Sequence, residues 1–211
     1  MKIHKITSGP ISTNAYLVGC ESTKKVLVID PAKDSFSPIL EWVEAGGWKV
    51  EMVGLTHSHW DHIGDLSLVK RCFEVPVHVH AMDAVNVERV GSDGLDLPFP
   101  IKGVRPDFLW EEGRSYKMGD LRFIVLWTPG HSHGSCCFYF EKDEVLFSGD
   151  TLFQGSIGKL SLPTSCAKDM WPSLKKLSKL PDSTEVYPGH GGYTTIGEEK
   201  EMLEKAQQLF S

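Results

Sequence analysis

The chain has 211 residues, and its hydrophobic content of 41% and charged content of 24% are ordinary for a soluble globular protein with a sizeable core. Its formal net charge of −6 argues against nucleic acid and anionic membranes as partners. No stretch approaches the roughly 20 apolar residues that a membrane span needs.

The amino terminus and the cysteines favour an intracellular location. Residues Met1–Ile6 enter a strand-like alternation at once, with no apolar or Arg/Ser-rich leader, so no signal or transit peptide is expected. The five cysteines are odd in number and lack metal-ligand spacing, which favours free thiols in a reducing compartment. Cys136 and Cys137 are neighbours on a predicted strand, so they should face opposite sides and should not form a disulfide. The cytoplasm is the expected compartment.

Strand-like and helical segments alternate along the chain, which predicts an α/β protein. The predicted strands are Ile3–Thr7, Ala15–Gly19, Lys25–Ile29, Val50–Leu55, Pro76–His80, Ser115–Met118, Leu121–Trp127, Ser135–Phe140, Glu144–Ser148 and Thr184–Tyr187. The predicted helices begin near Ser37 and after Thr195, and three more span Asp65–Phe73, Met82–Val90 and Asp169–Leu180. No linker is long enough to divide the chain, so residues 1–211 are expected to form one domain.

Local signals predict where three of the helices begin or end. Ser37-Pro38 fits an N-cap and first helical position, and Gly46-Gly47 should end that helix. Pro172 is tolerable only in the first turn of Asp169–Leu180. The run Thr195-Ile196-Gly197-Glu198 fits a capping box. The helix that follows it should bury Met202, Leu203, Ala206, Leu209 and Phe210.

The region Gly91–Pro106 has the weakest secondary-structure pattern in the chain, with four apolar residues spaced among prolines and glycines. Two interpretations stay open for it. It is either a mobile lid near a substrate or a packed crossover between strands.

One short run concentrates side chains that bind metals. Residues 56–62 read THSHWDH and place His57, His59, Asp61 and His62 directly after the predicted strand Val50–Leu55. Imidazole and carboxylate are the nitrogen and oxygen ligands that zinc, iron and manganese accept. Because so many of these groups would be costly to bring together without a cation, the run predicts a metal site.

Three further candidate ligands lie at turns, each after an apolar, strand-like stretch. They are His131 in TPGH, Asp150 in SGDT and His190 in YPGH. Strand ends are places where a rigid scaffold presents reactive groups. Asp30 also follows a predicted strand, and it either orients a ligand or has only a structural role there.

The HxHxDH run and the later His, Asp and His resemble the metallo-β-lactamase superfamily in order and approximate spacing, over nearly the whole chain. The resemblance implies an αββα sandwich, with two facing sheets and helices outside. It implies two divalent metal ions, most often zinc, with iron or manganese as alternatives. The implied ligands are His57, His59 and His131 for one ion, Asp61, His62 and His190 for the other, and Asp150 as a bridge. Asp61 and Asp150 are also the candidate catalytic residues, and a hydroxide between the cations would be the nucleophile.

Three other features resemble the short, glyoxalase II-like bacterial hydrolases more than the β-lactamases. They are the bridging Asp150 in GDTLF, the stretch GSIGK at 155–159, and the ending that runs from GHG at 189–191 through TTIG to Glu199. The implied activity is hydrolysis of a small-molecule thioester such as S-lactoylglutathione. Full-length glyoxalase II adds a helical domain that helps to hold glutathione, whereas 21 residues follow His190 here, so that domain is not expected.

The chain departs from the GRTD pattern of the short group, because Lys159-Leu160-Ser161 stands in its place. Lys159 keeps a positive charge but lacks the bidentate fork of arginine. Lys159 and Tyr193 are the candidate substrate-binding residues. A solvated surface lysine and an ordinary packed tyrosine are the alternatives.

Other functions stay open at this point. A persulfide dioxygenase resembles glyoxalase II closely but uses one iron, so the number and identity of the metals would separate the two. Hydrolysis of other esters or phosphodiesters, or a non-catalytic domain with the same fold, are further alternatives. His78 and His80 are expected to be structural, and His133 is expected to lie in a surface turn.

Overall fold

The computed structural model describes the backbone of residues 1–209 and the side chains of residues 1–204. The helices are α1 (Phe36–Gly46), α2 (Leu66–Phe73), α3 (Ala81–Glu88), α4 (Ala167–Leu177) and α5 (Ile196–Leu209), and a 3-10 turn spans Glu141–Asp143. The strands are β1 (Lys2–Ser8), β2 (Thr13–Cys20), β3 (Lys25–Ile29), β4 (Lys49–Gly54), β5 (Val77–His80), β6 (Phe108–Trp110), β7 (Ser115–Met118), β8 (Leu121–Trp127), β9 (Cys136–Phe140), β10 (Val145–Gly149), β11 (Leu152–Phe153), β12 (Ser156–Ile157), β13 (Glu185–Pro188) and β14 (Thr194–Thr195).

The strands form two six-stranded mixed sheets and a small hairpin. The first sheet has the order β1-β2-β3-β4-β5-β6, and its last four strands are parallel. The second has the order β14-β13-β10-β9-β8-β7, in which β10 and β13 are parallel and the other pairs are antiparallel. Strands β11 and β12 pair with each other.

Alternating side chains divide the core into three layers. In β9, Cys136, Phe138 and Phe140 point into the layer between the sheets, whereas Cys137 and Tyr139 point to the helices α4 and α5. In β2 and β3 the same alternation separates the inter-sheet layer from the layer under α1, α2 and α3. The predicted αββα sandwich is therefore confirmed. Cys136 and Cys137 are free and face opposite sides, as predicted.

All ten predicted strands overlap observed strands, but the helix signals are only partly confirmed. Helix α1 begins two residues earlier than predicted, with Ser35 as N-cap, and Gly47 ends it in a left-handed conformation. Pro172 lies inside α4 and not in its first turn. That prediction was wrong, because α4 begins at Ala167, two residues before the predicted start.

The predicted capping box is confirmed at the start of α5. The Thr195 hydroxyl accepts a hydrogen bond from the Glu198 amide at 3.1 Å, and the Glu198 carboxylate accepts one from the Thr195 amide at 3.2 Å. Leu203 is buried and Met202 packs against the same layer. The other residues predicted to be buried, Ala206, Leu209 and Phe210, lie outside the described side chains.

The region Gly91–Pro106 packs along α3, as the crossover interpretation predicts. The Val104 amide donates a hydrogen bond to the Val87 carbonyl at 2.8 Å. A Cβ added at Gly103 would lie 2.1 Å from the Glu88 carbonyl oxygen, so this backbone lies directly against the helix. Over residues 1–209, no helix is both long and apolar enough to cross a membrane.

The topology brings several strand ends to one edge of the sandwich. Strands β3 and β4 are parallel, so their carboxyl ends lie together. Strands β8, β10 and β13 also run in one direction, because β9 is antiparallel to both β8 and β10. The start of β2 joins the two sheets here, since the Asn14 amide donates to the Gly189 carbonyl at 2.7 Å. Every predicted metal ligand follows one of these strands.

Candidate metal centre

The loop after β4 folds back on itself and places both halves of the THSHWDH run at this edge. His57, His59, Asp61 and His62 are all less than 7% exposed, so the run is buried rather than displayed on the surface. The His62 amide donates to the His59 carbonyl at 3.0 Å, which forms a turn within the run. This turn separates the first two histidines from the Asp-His pair.

The first cluster, called here the three-histidine site, consists of His57, His59 and His131. One nitrogen from each ring lies within 4.8 Å of the nitrogens of the other two. His59 Nδ1 and His131 Nε2 are 2.9 Å apart. His131 arrives from the loop after β8, so this site joins the two sheets.

The second cluster, called here the mixed site, consists of Asp61, His62 and His190, whose ligand atoms also lie within 4.8 Å of one another. Asp61 Oδ2 is 3.2 Å from the Nε2 atoms of both His62 and His190. His190 follows β13 at the same edge. The two clusters use six of the seven side chains that the sequence predicts as ligands.

Asp150, at the end of β10, lies between the two clusters. Its Oδ1 is 3.4 Å from His62 Nε2 in the mixed site. Its Oδ2 is 3.4 Å from His131 Nε2 in the three-histidine site. A carboxylate in this position can contact cations in both sites, as expected for a bridging ligand.

Three buried atoms of these clusters indicate that cations fit here. Within the described part of the chain, His57 Nε2, His62 Nε2 and Asp150 Oδ1 are buried and have no hydrogen-bond partner. Leaving such atoms without a partner is costly, and nitrogen and oxygen lone pairs that converge are what a divalent metal ion requires. The chemistry of the donor set therefore fits metal binding.

The pKa values of the three-histidine site favour neutral rings. Burial, and then the nearby charges of His131 and His62, lower the pKa of His59 to about 3. Burial also lowers the pKa of His57 and of His131. Neutral imidazole is the form that binds a metal ion.

In the mixed site the histidine pKa is raised instead of lowered, because carboxylates face the histidines. Burial opposes protonation of His190, but hydrogen bonds to Asp150 and Asp61 raise its pKa to about 9. Burial likewise opposes charge on Asp61 and Asp150, yet the charge of His62 and the hydrogen bonds from His190 hold both carboxyl pKa values well below normal. Positive charge is thus stabilised between the two carboxylates.

Asp30 orients the run rather than binding metal itself. It lies within reach of His57 and His62, but its oxygens are already occupied. Oδ2 accepts hydrogen bonds from His62 Nδ1 at 2.9 Å and from the Thr56 hydroxyl at 2.5 Å, and Oδ1 accepts one from the Thr56 amide at 2.8 Å. Of the two interpretations of Asp30, the geometry supports the orienting one.

Three candidate ligands make further hydrogen-bond contacts that the sequence did not predict. Thr164 Oγ1 lies 3.0 Å from His59 Nε2, and the Lys159 carbonyl oxygen lies 2.9 Å from His131 Nδ1. The Thr13 hydroxyl donates to Asp61 Oδ2 at 2.8 Å. Threonine and backbone groups carry no sequence pattern that distinguishes such contacts from ordinary turns.

The remaining candidates lie outside the two clusters. The Lys159 side chain is exposed, and Tyr193, three residues after His190, is 69% exposed. His78 stacks on Phe108 and Trp110. His80 stacks on Trp127, and His133 is exposed. Trp60 packs edge-on against Phe99 of the Gly91–Pro106 region, with ring centroids 5.7 Å apart.

Comparison with known proteins identifies the family. Residues 8–190 match the model of the metallo-β-lactamase superfamily. The hydroxyacylglutathione hydrolase GloC of Haemophilus influenzae is 31% identical, and the match covers 85% of this chain and 86% of that protein. The chain belongs to the metallo-β-lactamase superfamily, whose members bind metal ions, and it is a metal-dependent hydrolase of that superfamily.

Two solved structures show the same architecture. BLEG-1 B3 metallo-β-lactamase is 34% identical, with a TM-score of 0.88 over 96% of this chain and 99% of that one. TTHA1623 in a di-iron-bound form is 38% identical, with a TM-score of 0.78 over 93% of this chain and 96% of that one. These similarities confirm the fold and the family that the sequence motifs predict.

Proposed function

We propose that this member of the metallo-β-lactamase superfamily is a dinuclear hydrolase that cleaves a small acyl thioester such as S-lactoylglutathione. The observation that carries the proposal is the convergence of the three-histidine site and the mixed site on the single carboxylate of Asp150. The similarity to a hydroxyacylglutathione hydrolase over most of both chains supports the choice of a thioester. Zinc is the proposed metal, with iron or manganese as alternatives.

Six of the proposed ligands would bind two metal ions, three at each site. His57, His59 and His131 would hold one cation, and Asp61, His62 and His190 would hold the other. Asp150 would contact both. When bound, two such cations lower the pKa of a water molecule and polarise the carbonyl that it attacks.

The carboxylates of Asp61 and Asp150 lie where they can assist the proton transfer that hydrolysis requires. Hydrolysis joins a water oxygen to the acyl carbon, breaks the C–S bond and moves a proton from the water to the departing thiolate. Asp61 and Asp150 stay ionised beside His62 and His190, so each carboxylate can accept a hydrogen bond from the attacking water and orient it. These two residues are therefore the proposed catalytic groups.

Lys159 and Tyr193 are the proposed substrate contacts. Both side chains are exposed on loops that also contribute to the metal centre, through the Lys159 carbonyl and through His190. A lysine ammonium suits a carboxylate of the thiol carrier, and an exposed tyrosine offers a flat apolar surface. The proposed partner is a small molecule and not nucleic acid, and the cytoplasmic location and the single domain over residues 1–211 stay predictions.

The first experiment measures hydrolysis of S-lactoylglutathione and metal content on the same purified sample. We expect turnover that follows about two bound metal ions per chain, in line with the two clusters. His59→Ala should abolish turnover and lower metal content. The matched control is His133→Ala, which removes an exposed imidazole close in sequence to His131 and should leave both unchanged.

Each other outcome selects a different function. Two metal ions without turnover would exclude this thioester, and other thioesters, esters, phosphodiesters and a β-lactam would then be assayed, the last because of the similarity to BLEG-1. One bound iron without turnover would favour the persulfide dioxygenase. Turnover in His59→Ala at the wild-type rate would contradict the proposed site.

A further inference from the structure

Helix α3 carries two buried polar side chains that the proposed chemistry does not use. Asp83 and Asn86 are three residues apart, so they lie on the same face of the helix. They are only 4% and 5% exposed. Buried polar groups of this kind need partners, and here the partners include the loops that carry the three-histidine site.

Asp83 connects the two loops that supply this site. Its Oδ2 accepts hydrogen bonds from the Ser58 amide at 2.8 Å and from the Ser132 hydroxyl at 3.0 Å. Its Oδ1 accepts one from the Gly134 amide at 2.8 Å. Ser58 lies between the two histidines of the HxH segment, and Ser132 directly follows the third histidine. One carboxylate therefore fixes both loops.

Asn86 binds the same HxH segment through the Ser58 carbonyl. Its Nδ2 donates to the Ser58 carbonyl at 2.7 Å and lies 3.2 Å from the Ser58 hydroxyl. Its Oδ1 accepts the amides of Gly91 at 3.0 Å and Asp93 at 3.2 Å. The Ser58 amide lies in the peptide to His57 and the Ser58 carbonyl in the peptide to His59, so α3 binds one polar group of each peptide in the HxH segment.

Gly134 permits the close approach of Asp83. A Cβ added at Gly134 would lie 2.5 Å from both Cγ and Oδ1 of Asp83, which is closer than real atoms come. Its backbone is not in the left-handed region, so the need for glycine here is one of space. An alanine at this position would push the carboxylate away without straining the turn itself.

We propose that Asp83 and Asn86 are positioning residues that set the spacing between the HxH segment and His131. The loops they join leave β4 of the first sheet and β8 of the second, so no single strand pair fixes the distance between their histidines. The inference rests on the proposed assignment of His57, His59 and His131 to one metal ion. Under this proposal, α3 determines the geometry of the three-histidine site and does not affect the mixed site.

The test measures metal affinity in backgrounds that isolate each site, with Co²⁺ as probe. His190→Ala keeps the three-histidine site intact, and His59→Ala keeps the mixed site intact. In the first background we expect Asp83→Asn to weaken Co²⁺ binding by about 10–100-fold and to shift the visible absorption bands. In the second background the same substitution should leave affinity and spectrum unchanged. Glu88→Gln is the matched control, because it removes a carboxylate from the exposed face of the same helix.

The outcomes separate this inference from the proposed function. Wild-type Co²⁺ affinity and spectrum for Asp83→Asn in the first background would overturn it, and so would an equal loss in both backgrounds. If Asp83→Asn does not fold, Asn86→Ala and Gly134→Ala decide, and wild-type affinity in both folded variants would overturn it. Failure of the wild type to hydrolyse any thioester would remove the proposed function but would leave these affinity comparisons valid.

Discussion

Asp30 shows how much of this centre depends on single residues that do not bind metal. It directly follows β3 and has a φ of +48°, a conformation that few residues other than glycine adopt. Its two oxygens accept hydrogen bonds from Thr56 and His62, so one side chain fixes the start and the end of the THSHWDH run. Strand β3 therefore controls ligands that follow β4.

Substitution Asp30→Asn should weaken metal binding without removing a ligand. An amide must turn one NH₂ hydrogen toward a group that is itself a donor, so at least one buried hydrogen bond is lost. We expect metal affinity to fall by about 10–100-fold and the free energy of unfolding to fall by about 2–3 kcal/mol. Chelator competition and denaturant unfolding measure the two effects. Asp34→Asn, at an exposed residue that also has a positive φ, is the control and should match the wild type.

His78 should make the protein sensitive to acid far from the metal centre. Burial, against the opposing charge of Asp107, lowers its pKa from 6.5 to about 4. The ring is stacked between Phe108 and Trp110, and Tyr116 packs edge-on to it. The surrounding charged residues are Asp107, Glu111 and Arg114. The folded protein thus favours the neutral ring.

The sign of the pH effect follows from that lowered pKa. The stability from neutral His78 is complete above pH 6.5 and is lost as the pH falls from 6.5 to 4. We expect this residue to account for about 2–3 kcal/mol of lost unfolding free energy over that range. His78→Phe keeps the stacking and cannot protonate, so its unfolding free energy should depend less on pH, whereas His133→Ala should keep the wild-type dependence. An unchanged pH profile in His78→Phe would contradict this prediction.

The sequence predicts the candidate ligands of this centre but not the residues that hold them. Histidine and aspartate in the HxHxDH run form a pattern unusual enough to indicate metal binding by itself. Thr13, Thr164 and Asp83 act through hydrogen bonds across 48 to 105 residues of sequence. Nothing local distinguishes these side chains from polar residues in other turns, so only the fold identifies them.

Among the secondary-structure elements, length decides which ones the sequence predicts. The long strands show alternation or buried apolar runs, and the sequence predicts all of them. Strands β6, β11, β12 and β14 have two or three residues each, too few for any periodicity, and they exist only because a neighbour offers a pairing edge. Pro172 lies inside α4 because the helix begins earlier than its own sequence signals suggest.

The short hairpin of β11 and β12 nevertheless controls the space beside the metal centre. Glu199 of α5 accepts a hydrogen bond from the Gly155 amide at 2.9 Å and so fixes the turn of the hairpin. The hairpin then delivers Gly158 against the centre. A Cβ added there would lie 1.9 Å from the Asp150 carbonyl oxygen and 2.9 Å from His131 Nδ1.

Gly158→Ala should therefore disable the centre although it alters no ligand. The added methyl group must displace the backbone of Asp150 or the ring of His131, and a misplacement of about 1 Å can cost about 10²-fold in rate. We expect a loss of thioester hydrolysis of at least that size, together with lower metal content. Gly192→Ala is the matched control near His190, because its Cβ would meet only the flexible end of Gln154, at 3.1 Å. Full activity in Gly158→Ala would contradict this prediction, because it would mean that the hairpin moves to make room for the methyl group without disturbing Asp150 or His131.

For the whole molecule, the candidate metal centre lies where it can connect the two sheets. The three-histidine site takes two ligands from the loop after β4 and one from the loop after β8, and the mixed site joins the same first loop to the end of β13. Cations bound here would cross-link the halves of the sandwich at the edge where its strands end. Because the unfolded chain has no such preformed sites, binding free energy adds to the stability of the fold.

Metal removal should accordingly lower the melting temperature of the entire protein. At a free metal concentration about 100-fold above Kd, one bound ion stabilises the folded state by about 2.7 kcal/mol. For a chain of this size that corresponds to a fall in Tm of about 5–10 °C on chelation. Calorimetry with and without chelator measures the shift, and restored Zn²⁺ should reverse it. A variant that carries both His59→Ala and His190→Ala should show a much smaller shift, because each site has lost a ligand. An unchanged Tm after complete removal of metal would mean that the hydrogen bonds of Asp83 and Asn14 already hold the two sheets in place without it.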